Sequence, residues 1–198
     1  DDISRNTISG NVNVVYTIVP ICSIGGCLGD PFDITITVNP EPVGIAQSVT
    51  RCSDIAVGAS VTIGTTAGSA TPSGFNISVS NGGLILSSGT NSNGSNKSAT
   101  ELQDDIWRNT GALPVNVVYT IVPISNGSGC LGDPFDITVT VNPEPVVSTL
   151  LNAIVCSDSP SGITLSTNGT SVSASSYTIN TPTGLAPDIP FNGTTWIA

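Results

Sequence analysis

The sequence predicts an all-β protein made of β-sandwich domains in a linear, tandem array, and three observations support this prediction. Only 9% of the 198 residues are charged, whereas Gly (21) and Pro (14) are frequent, a composition typical of short strands joined by turns. Apolar and polar residues alternate over 12–19 and 32–39, as in strands with one buried face. Residues 1–43 return as 104–146 with differences only at positions 4, 8–11, 22–25 and 36. A repeat of this length marks a series of whole domains rather than a solenoid of short units.

The elements follow from the same patterns, in chain order. The two alternating runs are rich in β-branched residues, and the Gly-rich segment 23–30 between them predicts a hairpin-like loop, repeated at 125–133. A short helical turn is expected at 101–107, and the polar segment 87–98 is interpreted as a mobile surface insertion. The remaining candidate strands are 45–51, 59–64, 74–80 and 83–87, with counterparts near 148–155, 162–167 and 175–180.

An Asn-Pro-Glu-Pro sequence ends the strongest strand in each copy and predicts a short, semi-rigid linker at Pro40, Pro42, Pro143 and Pro145. Domain boundaries placed on these linkers make 44–146 a complete domain. Residues 1–43 are then the C-terminal part of a preceding domain, and 147–198 the N-terminal part of a following one. Such half-domains would expose apolar faces and open strand edges. We therefore expect neighbouring copies of the repeat to lie head to tail, along one longer chain or in a filament of several chains.

Five cysteines suggest disulfide bonds in an oxidising compartment. The repeat favours one bridge per unit junction, Cys27–Cys52 and Cys130–Cys156, with Cys22 unpaired. Each bridge would close a loop of roughly 25 residues, worth about 3 kcal/mol. A Cys22–Cys27 bridge is the second-ranked alternative, because it would leave Cys52 without a partner.

The charge balance excludes several classes of partner. The formal net charge is −10, with only Arg5, Arg51, Lys97 and Arg108 as basic residues. An acidic surface repels phosphate backbones and anionic membranes, so neither nucleic acid nor a membrane surface is an expected partner. No apolar run reaches the length of a membrane-spanning helix. A secreted, extracellular protein is expected.

Catalysis is not expected, and neither is a cofactor. The chain has no His, which excludes Ser-His-Asp and Cys-His arrangements. The carboxylate pairs Asp104/Asp105 and Asp133/Asp136 recur in the other copy. A pair repeated in every unit is more typical of a structural element than of a glycosidase site.

Calcium is the one metal with a candidate ligand set, because hard cations bind carboxylates in extracellular loops. The candidates share a position in predicted loops: Asp30, Asp54, Asp104, Asp105, Asp133 and Asp158. The alternative is that the Asp30/Asp133 and Asp54/Asp158 pairs make turn-capping hydrogen bonds. The chain contains no DxDxDG spacing, which favours this alternative.

Four aromatic residues are candidates for a sugar-stacking platform: Tyr16, Tyr119, Trp107 and Trp196. Both tyrosines lie in alternating strands, where a core position is the simpler interpretation. The aromatic content of 5% is low for a carbohydrate-binding face.

The motifs VVYTIVP and GCLGDPFDITVTVNPEPV, followed by CSD and preceded by DDxWRNT, resemble the PKD-like repeats of giant secreted proteins of Bacteroidota. This resemblance implies Ig-like β-sandwiches in tandem, in cell-surface adhesins exported by the type IX secretion system, gliding-motility adhesins among them. Ser4 departs from the pattern at the position of Trp107. The resemblance implies a non-catalytic shaft of an adhesin or filament. The alternatives are a module that binds a glycan or another surface, and an accessory domain of a secreted hydrolase.

Overall fold

The computed structural model describes residues 2–58, 62–179 and 195–197, the last three by their backbone alone. The fold is all-β, as predicted. The described strands are β1 (Val12–Ile18), β2 (Phe32–Val38), β3 (Gln47–Cys52), β4 (Pro72–Ser80), β5 (Ile85–Ser88), β6 (Gly94–Lys97), β7 (Ile106–Arg108), β8 (Val115–Ser125), β9 (Phe135–Asn142), β10 (Ser176–Thr178) and β11 (Thr195–Ile197). Two 3₁₀ turns lie at Glu101–Asp104 and Thr149–Leu151. Within the described ranges, no helix is long and apolar enough to span a bilayer.

Residues 44–146, which we call the middle unit, form a two-layer sandwich. One layer is a five-stranded sheet in the order β3-β9-β8-β4-β6, and the other is the pair β5-β7. The first strand, β3, runs parallel to the last strand, β9, whereas the other neighbours are antiparallel. Alternating residues of β8 and β9 point into the core and are 0–1% exposed: Val117, Tyr119, Ile121, Ile137, Val139 and Val141. The strand period of two therefore places every second apolar residue between the layers.

Residues 1–43 contain a hairpin, β1-β2, that repeats β8-β9. All seven Cα pairings of β1-β2, from Val12 with Val38 to Ile18 with Phe32, recur in β8-β9 at positions 103 higher. In the described part of the chain β1 and β2 pair only with each other. Their inward-facing side chains are consequently accessible, with Ile34 45% and Ile36 49% exposed.

Several predicted elements differ from the structure. The helical turn expected at 101–107 stops at Asp104, because Ile106–Arg108 pairs with β5 as a strand. The supposed mobile insertion at 87–98 contains β6, which extends the large sheet next to β4. Of the strand expected at 59–64, residues 59–61 lie outside the described ranges, and 62–64 are not a strand.

The tail, residues 147–198, departs furthest from the predictions. The strand expected at 148–155 is wrong: the segment contains the 3₁₀ turn Thr149–Leu151 and no strand. Its counterpart β3 depends on pairing with β9, and the described residues give the tail no β9 of its own. The strand at 162–167 is reduced to an isolated bridge between Val147 and Thr167, and that at 175–180 to β10, with residue 180 outside the described ranges.

Candidate functional site at the inter-unit junction

A buried asparagine ties the last strand of each unit to the linker that follows it. Asn109 is 2% exposed, and its Nδ2 donates to the carbonyl oxygens of Leu113 and Val141, both at 2.9 Å. The backbone N–H of Glu144, inside the linker, donates to the carbonyl of Asn109 at 2.9 Å. Since Val141 lies near the end of β9, these bonds fix the direction in which the chain leaves the sheet.

The same arrangement is present at the preceding linker. The Nδ2 of Asn6 donates to the backbone carbonyls of Gly10 and Val38, both at 2.8 Å. The backbone carbonyl of Asn6 accepts from the N–H of Glu41 at 2.9 Å. We call this the Asn latch. Its occurrence at both linkers accounts for the repeated Asn of the Arg-Asn-Thr motif.

An arginine next to each latch forms ion pairs with the linker. Arg108 Nε lies 2.9 Å from Glu144 Oε1 and 3.6 Å from Asp54 Oδ2. Arg5 pairs with Glu41 in the same way, and its second nitrogen pairs with Asp133 of the next unit. The hydrogen bond to Glu41 raises the pKa of the Arg5 guanidinium. Exposed ion pairs contribute little stability, so their main effect here is orientation.

The repeated Gly-Asp-Pro-Phe sequence forms the surface on which the linker lies. A Cβ on Gly132 would come within 2.0 Å of the Pro42 carbonyl oxygen, so only glycine permits this approach. A Cβ on Gly44 would likewise lie 1.9 Å from the ring of Phe135. Gly132 and Asp133 of the motif therefore contact the preceding linker and unit, whereas Phe135 packs on Gly44 at the start of the middle unit itself.

The prolines of the first linker are not solvated, as those of a flexible linker would be. Pro40 and Pro42 are buried, Pro143 is half-buried and Pro145 is exposed. Val43, which follows Pro42, accepts from the N–H of Thr66 at 2.7 Å and donates to Ser69 Oγ at 3.3 Å. The first linker is thus packed against the middle unit.

A buried polar cluster lies beside the core of the middle unit. The Tyr119 hydroxyl donates to Asp105 Oδ2 at 2.8 Å and accepts from Trp107 Nε1 at 2.7 Å. Ser92 Oγ donates to the same carboxylate oxygen at 2.8 Å. Asp105 is 0% exposed, and its Oδ1 has no hydrogen-bond partner among the described residues. In the other copy Tyr16 donates to Asp2 Oδ2 at 3.0 Å, without an indole because Ser4 replaces Trp107.

Burial governs the electrostatics of this cluster. Loss of solvation raises the pKa of Asp105, although the hydrogen bonds from Ser92 and Tyr119 favour its charged form. Burial also raises the pKa of Tyr119. Asp104 differs, because the hydroxyl of Thr90 donates to it at 2.7 Å and lowers its pKa. A carboxyl group as buried as Asp105 does not meet a substrate, so the cluster is structural.

The structure does not form the predicted disulfide bonds. All five cysteines, Cys22, Cys27, Cys52, Cys130 and Cys156, are free thiols. The strand order gives the reason. Cys130 precedes β9, whereas Cys52 ends β3 beside Asn142 at the far end of β9, and Cys156 lies beyond the linker that follows. Cys27 and Cys52 are separated in the same way, by β2, the first linker and β3. Cys27 instead lies next to Cys22, whose Sγ accepts from its N–H at 3.1 Å and whose pKa this bond lowers.

The six candidate calcium ligands do not converge. Asp104 and Asp105 accept hydrogen bonds from hydroxyl groups, and Asp133 is paired with Arg5. Asp54 accepts from Ser87 at 2.7 Å and adopts a left-handed conformation with φ 58°, as Asp158 does with φ 59°. Asp30 is exposed in its loop. Across the described ranges, no three His, Cys, Asp or Glu residues form a metal-binding group. The residues therefore do not fit a Ca²⁺ site.

Among the side chains that the structure describes, the candidate aromatic residues do not form an accessible platform. Tyr119 is 0% and Trp107 6% exposed, so both belong to the core, as was expected for the tyrosine. Tyr16 is half-buried, and the side chain of Trp196 lies outside the described part of the structure.

A comparison with known protein families gives a match that extends over both copies of the repeated block. A family model described as PKD-like domain matches residues 1–42 and 50–145. The two matched stretches contain both hairpins and both Asn latches. No match was found among curated proteins or among solved structures.

Proposed function

Because this chain belongs to the PKD-like domain family, we propose that it is a mechanical spacer: a run of extracellular β-sandwich units, joined end to end, that holds another part of a surface protein at a distance. The wider setting proposed is the shaft of a bacterial cell-surface adhesin or filament, of the type found in secreted proteins of Bacteroidota. No catalytic step is part of this function.

The observation that carries the proposal is the pairing of the first and last strands of the middle unit. The chain enters the unit through β3 and leaves it through β9, and these strands are parallel neighbours from Gln47 with Ile137 to Cys52 with Asn142. The entry and exit points therefore lie at opposite ends of one ladder. Tension along the chain acts along the strands and strains all the ladder's hydrogen bonds together, rather than opening them one at a time.

The junctions support the same proposal. The Asn latch and the Arg–Glu pair are built at both linkers, and the first linker packs against Gly132. A linker held in this way transmits force and orientation between neighbouring units, which a solvated flexible linker would not do.

Single-molecule force spectroscopy tests the proposal by changing only the direction of pulling. Handles at residues 44 and 146 load the β3–β9 ladder along its length, whereas handles at Gln47 and Phe135, which lie at the same end of the ladder, peel it open. We expect the first geometry to require a several-fold higher unfolding force. Each event should release roughly 30 nm of chain, at about 3.6 Å per extended residue.

Equal forces in the two geometries would contradict a mechanical role for the ladder. The thermal stability of the two handle-bearing proteins serves as the control, because it should not differ between them.

A further inference from the structure

The loop between β1 and β2 places two thiols opposite each other. The antiparallel bridge Ile21–Leu28 continues the hairpin beyond its two strands. The next residues inward are Cys22 and Cys27, and the backbone N–H of Cys22 donates to the carbonyl of Cys27 at 2.9 Å. The two cysteines are therefore a cross-strand pair, fixed by the backbone of the loop itself.

The spacing of such a pair suits a disulfide bond. Opposed residues in a hydrogen-bonded antiparallel pair have Cα atoms about 5.5 Å apart, with both side chains on the same face. A disulfide bond spans Cα separations of about 4.4–6.8 Å. The Sγ of Cys22 is already turned toward Cys27, because it accepts from the N–H of Cys27 at 3.1 Å. The backbone therefore need not move for the two sulfur atoms to bond.

The turn between the two cysteines holds them in this arrangement before any bond forms. Gly25 and Gly26 adopt left-handed conformations, with φ 77° and 66°. Glycine reaches this region without the steric cost that a side chain brings. The chain thus reverses direction within four residues, and the thiols at its two ends remain close.

The environment of Cys22 favours the first step of oxidation. The N–H of Cys27 stabilises the Cys22 thiolate and lowers its pKa, and the thiolate is the form that attacks a disulfide. The oxidant considered is a low-molecular-weight disulfide such as oxidised glutathione. Cys22 attacks one of its sulfur atoms, the S–S bond breaks, and one small thiol leaves.

Cys27 completes the reaction. Its thiolate attacks the Cys22 sulfur of the mixed disulfide and displaces the second small thiol. The two cysteines together lose two electrons and two protons, and the small disulfide gains them as two thiols.

The other three cysteines have no thiol opposite them. Ser125 stands opposite Cys130, to whose carbonyl its N–H donates at 2.8 Å. Cys52 lies opposite Asn142 in the β3–β9 ladder, and Cys156 lies outside the described strands. The cross-strand thiol pair is therefore present in one copy of the repeat and interrupted by a serine in the other.

We propose that Cys22 and Cys27 form a redox-active dithiol, which closes to a disulfide bond across the β1-β2 loop under oxidising conditions. The β1-β2 hairpin then carries a covalent crosslink that the β8-β9 hairpin lacks. This inference goes beyond the proposed function, because a spacer needs no such crosslink. The force experiment acts on the middle unit, which does not contain the pair, so a failure here is distinct from a failure of the proposed function.

Mass spectrometry of the oxidised chain tests the proposal. The protein is refolded from denaturant in a mixture of reduced and oxidised glutathione, quenched with acid and digested without reduction. We expect Cys22 and Cys27 in one crosslinked peptide pair that has lost about two mass units and carries no glutathione. Cys52, Cys130 and Cys156 should be free or carry glutathione, since no second thiol displaces it.

Two serine variants separate the roles of the thiols. In Cys27→Ser the displacing thiol is absent, so Cys22 should retain a bound glutathione. Cys130→Ser is the matched control, because it removes the equivalent residue of the other copy and should leave the Cys22–Cys27 bond intact.

Ser125→Cys transfers the pair to the middle unit. Ser125 is 2% exposed, and its hydroxyl has no hydrogen-bond partner among the described residues. A thiol is a weaker donor and behaves as a small apolar group, so the site should accept it. We expect a new disulfide bond between position 125 and Cys130, and a higher midpoint of thermal unfolding in the oxidised than in the reduced variant.

Two outcomes would overturn the inference. One is a wild type in which Cys22 carries glutathione while Cys27 stays free at every glutathione ratio. The other is a disulfide bond from either residue to Cys52, the predicted junction bridge. Both are read from the wild type, so the test does not depend on whether a variant folds. In a folded Ser125→Cys protein, glutathione on both thiols would contradict the geometric argument.

Discussion

At the scale of single residues, the buried Asp105–Tyr119 pair shows how one motif serves two environments. The tyrosine-to-aspartate hydrogen bond is present in both copies. In the middle unit it is sealed under the second layer and extended by Trp107 and Ser92, whereas in the hairpin it is exposed. Hydrogen bonds count for more in a low-dielectric interior, and unmatched polar atoms there are costly. The contribution of the tyrosine–aspartate pair to the free energy of unfolding should therefore depend on how deeply the pair is buried, since the two residue types are the same in both copies.

The variant Tyr119→Phe tests this dependence. It removes the donor to Asp105 and leaves the buried Trp107 N–H without an acceptor, so the free energy of unfolding should fall by about 2–4 kcal/mol. Denaturant titration followed by tryptophan fluorescence measures the change. The matched variant Tyr16→Phe deletes the same bond in the hairpin and should leave the transition unmoved. Equal effects from the two variants would contradict the role assigned to burial.

The pKa of Asp105 predicts a pH dependence of stability with a definite sign. Because burial raises this pKa above the value of about 3.9 found in unfolded chains, the native state takes up a proton first as the pH falls. The cost of the buried charge is then relieved. Asp105 should therefore make the free energy of unfolding increase as the pH falls from neutral toward about 4. Each unit by which its folded-state pKa exceeds its unfolded-state pKa corresponds to about 1.4 kcal/mol.

Comparison with Asp105→Asn isolates this effect, since the amide keeps an acceptor oxygen but does not titrate. Unfolding curves recorded at several pH values should show the wild type gaining stability relative to the variant on acidification. Parallel pH profiles would mean that Asp105 has an ordinary pKa in the folded protein.

At the scale of elements, the strands of the repeated block were predictable and those of the tail were not. Alternation in 12–19 and 32–39 identified β1 and β2, because that pattern depends only on which face is buried. The segment 148–155 has similar apolar content, yet it forms no strand where its partner strand is missing from the described residues. Strand formation depends on pairing as well as propensity, which a single segment does not reveal.

The junction was only partly predictable, for a related reason. The prolines indicated a linker, but its contacts come from residues far away in the sequence, such as Gly132 beside Pro42 and Asn6, whose backbone carbonyl accepts from the N–H of Glu41. Cys27 and Cys52 each have an equivalent in the other copy, and this suggested a bridge between them. Equivalence between copies, however, says nothing about the distance between Cys27 and Cys52 in space. The repeat identified which residues matter, whereas the fold determined which of them meet.

Gly132→Ala tests the packing of the linker. The added methyl group would overlap the Pro42 carbonyl, so the linker must move away from β9. We expect faster amide hydrogen exchange at Glu41 and Thr66, whose N–H groups hold the linker and its latch. Gly10→Ala is the control, because nothing lies within 4 Å of the added atom. Unchanged exchange at both amides in Gly132→Ala would contradict the close approach.

At the scale of the whole molecule, stability is concentrated in one of the three parts. Among the described residues, the apolar cluster that packs as a core belongs entirely to the middle unit. The hairpin and the tail expose apolar side chains, and in the described residues each has a sheet of only two strands. Small sheets with one open face are marginal in water, so these two parts should contribute little to cooperative unfolding when the chain is monomeric.

Calorimetry of the dilute protein checks this distribution. One sandwich of about 100 residues should give an unfolding enthalpy of about 60–80 kcal/mol, whereas cooperative unfolding of the whole chain would give about twice that value. A large enthalpy that is independent of concentration would show that hairpin and tail are already folded into the core.

The pairing of β3 with β9 also sets the order in which strands can pair as the chain emerges from the ribosome. The ladder joins residues about 90 positions apart, so β3 waits for its partner until nearly the whole unit has appeared. Until then, the hairpin that lies beside β3 is β1-β2 of the preceding unit, which has already emerged. This hairpin has the same register as β8-β9. Near-identical neighbours give each new β3 two partners in succession, and an early pairing with the wrong one would exchange strands between units. Slow or stepwise emergence should therefore yield more misassembled product than release of the whole chain at once.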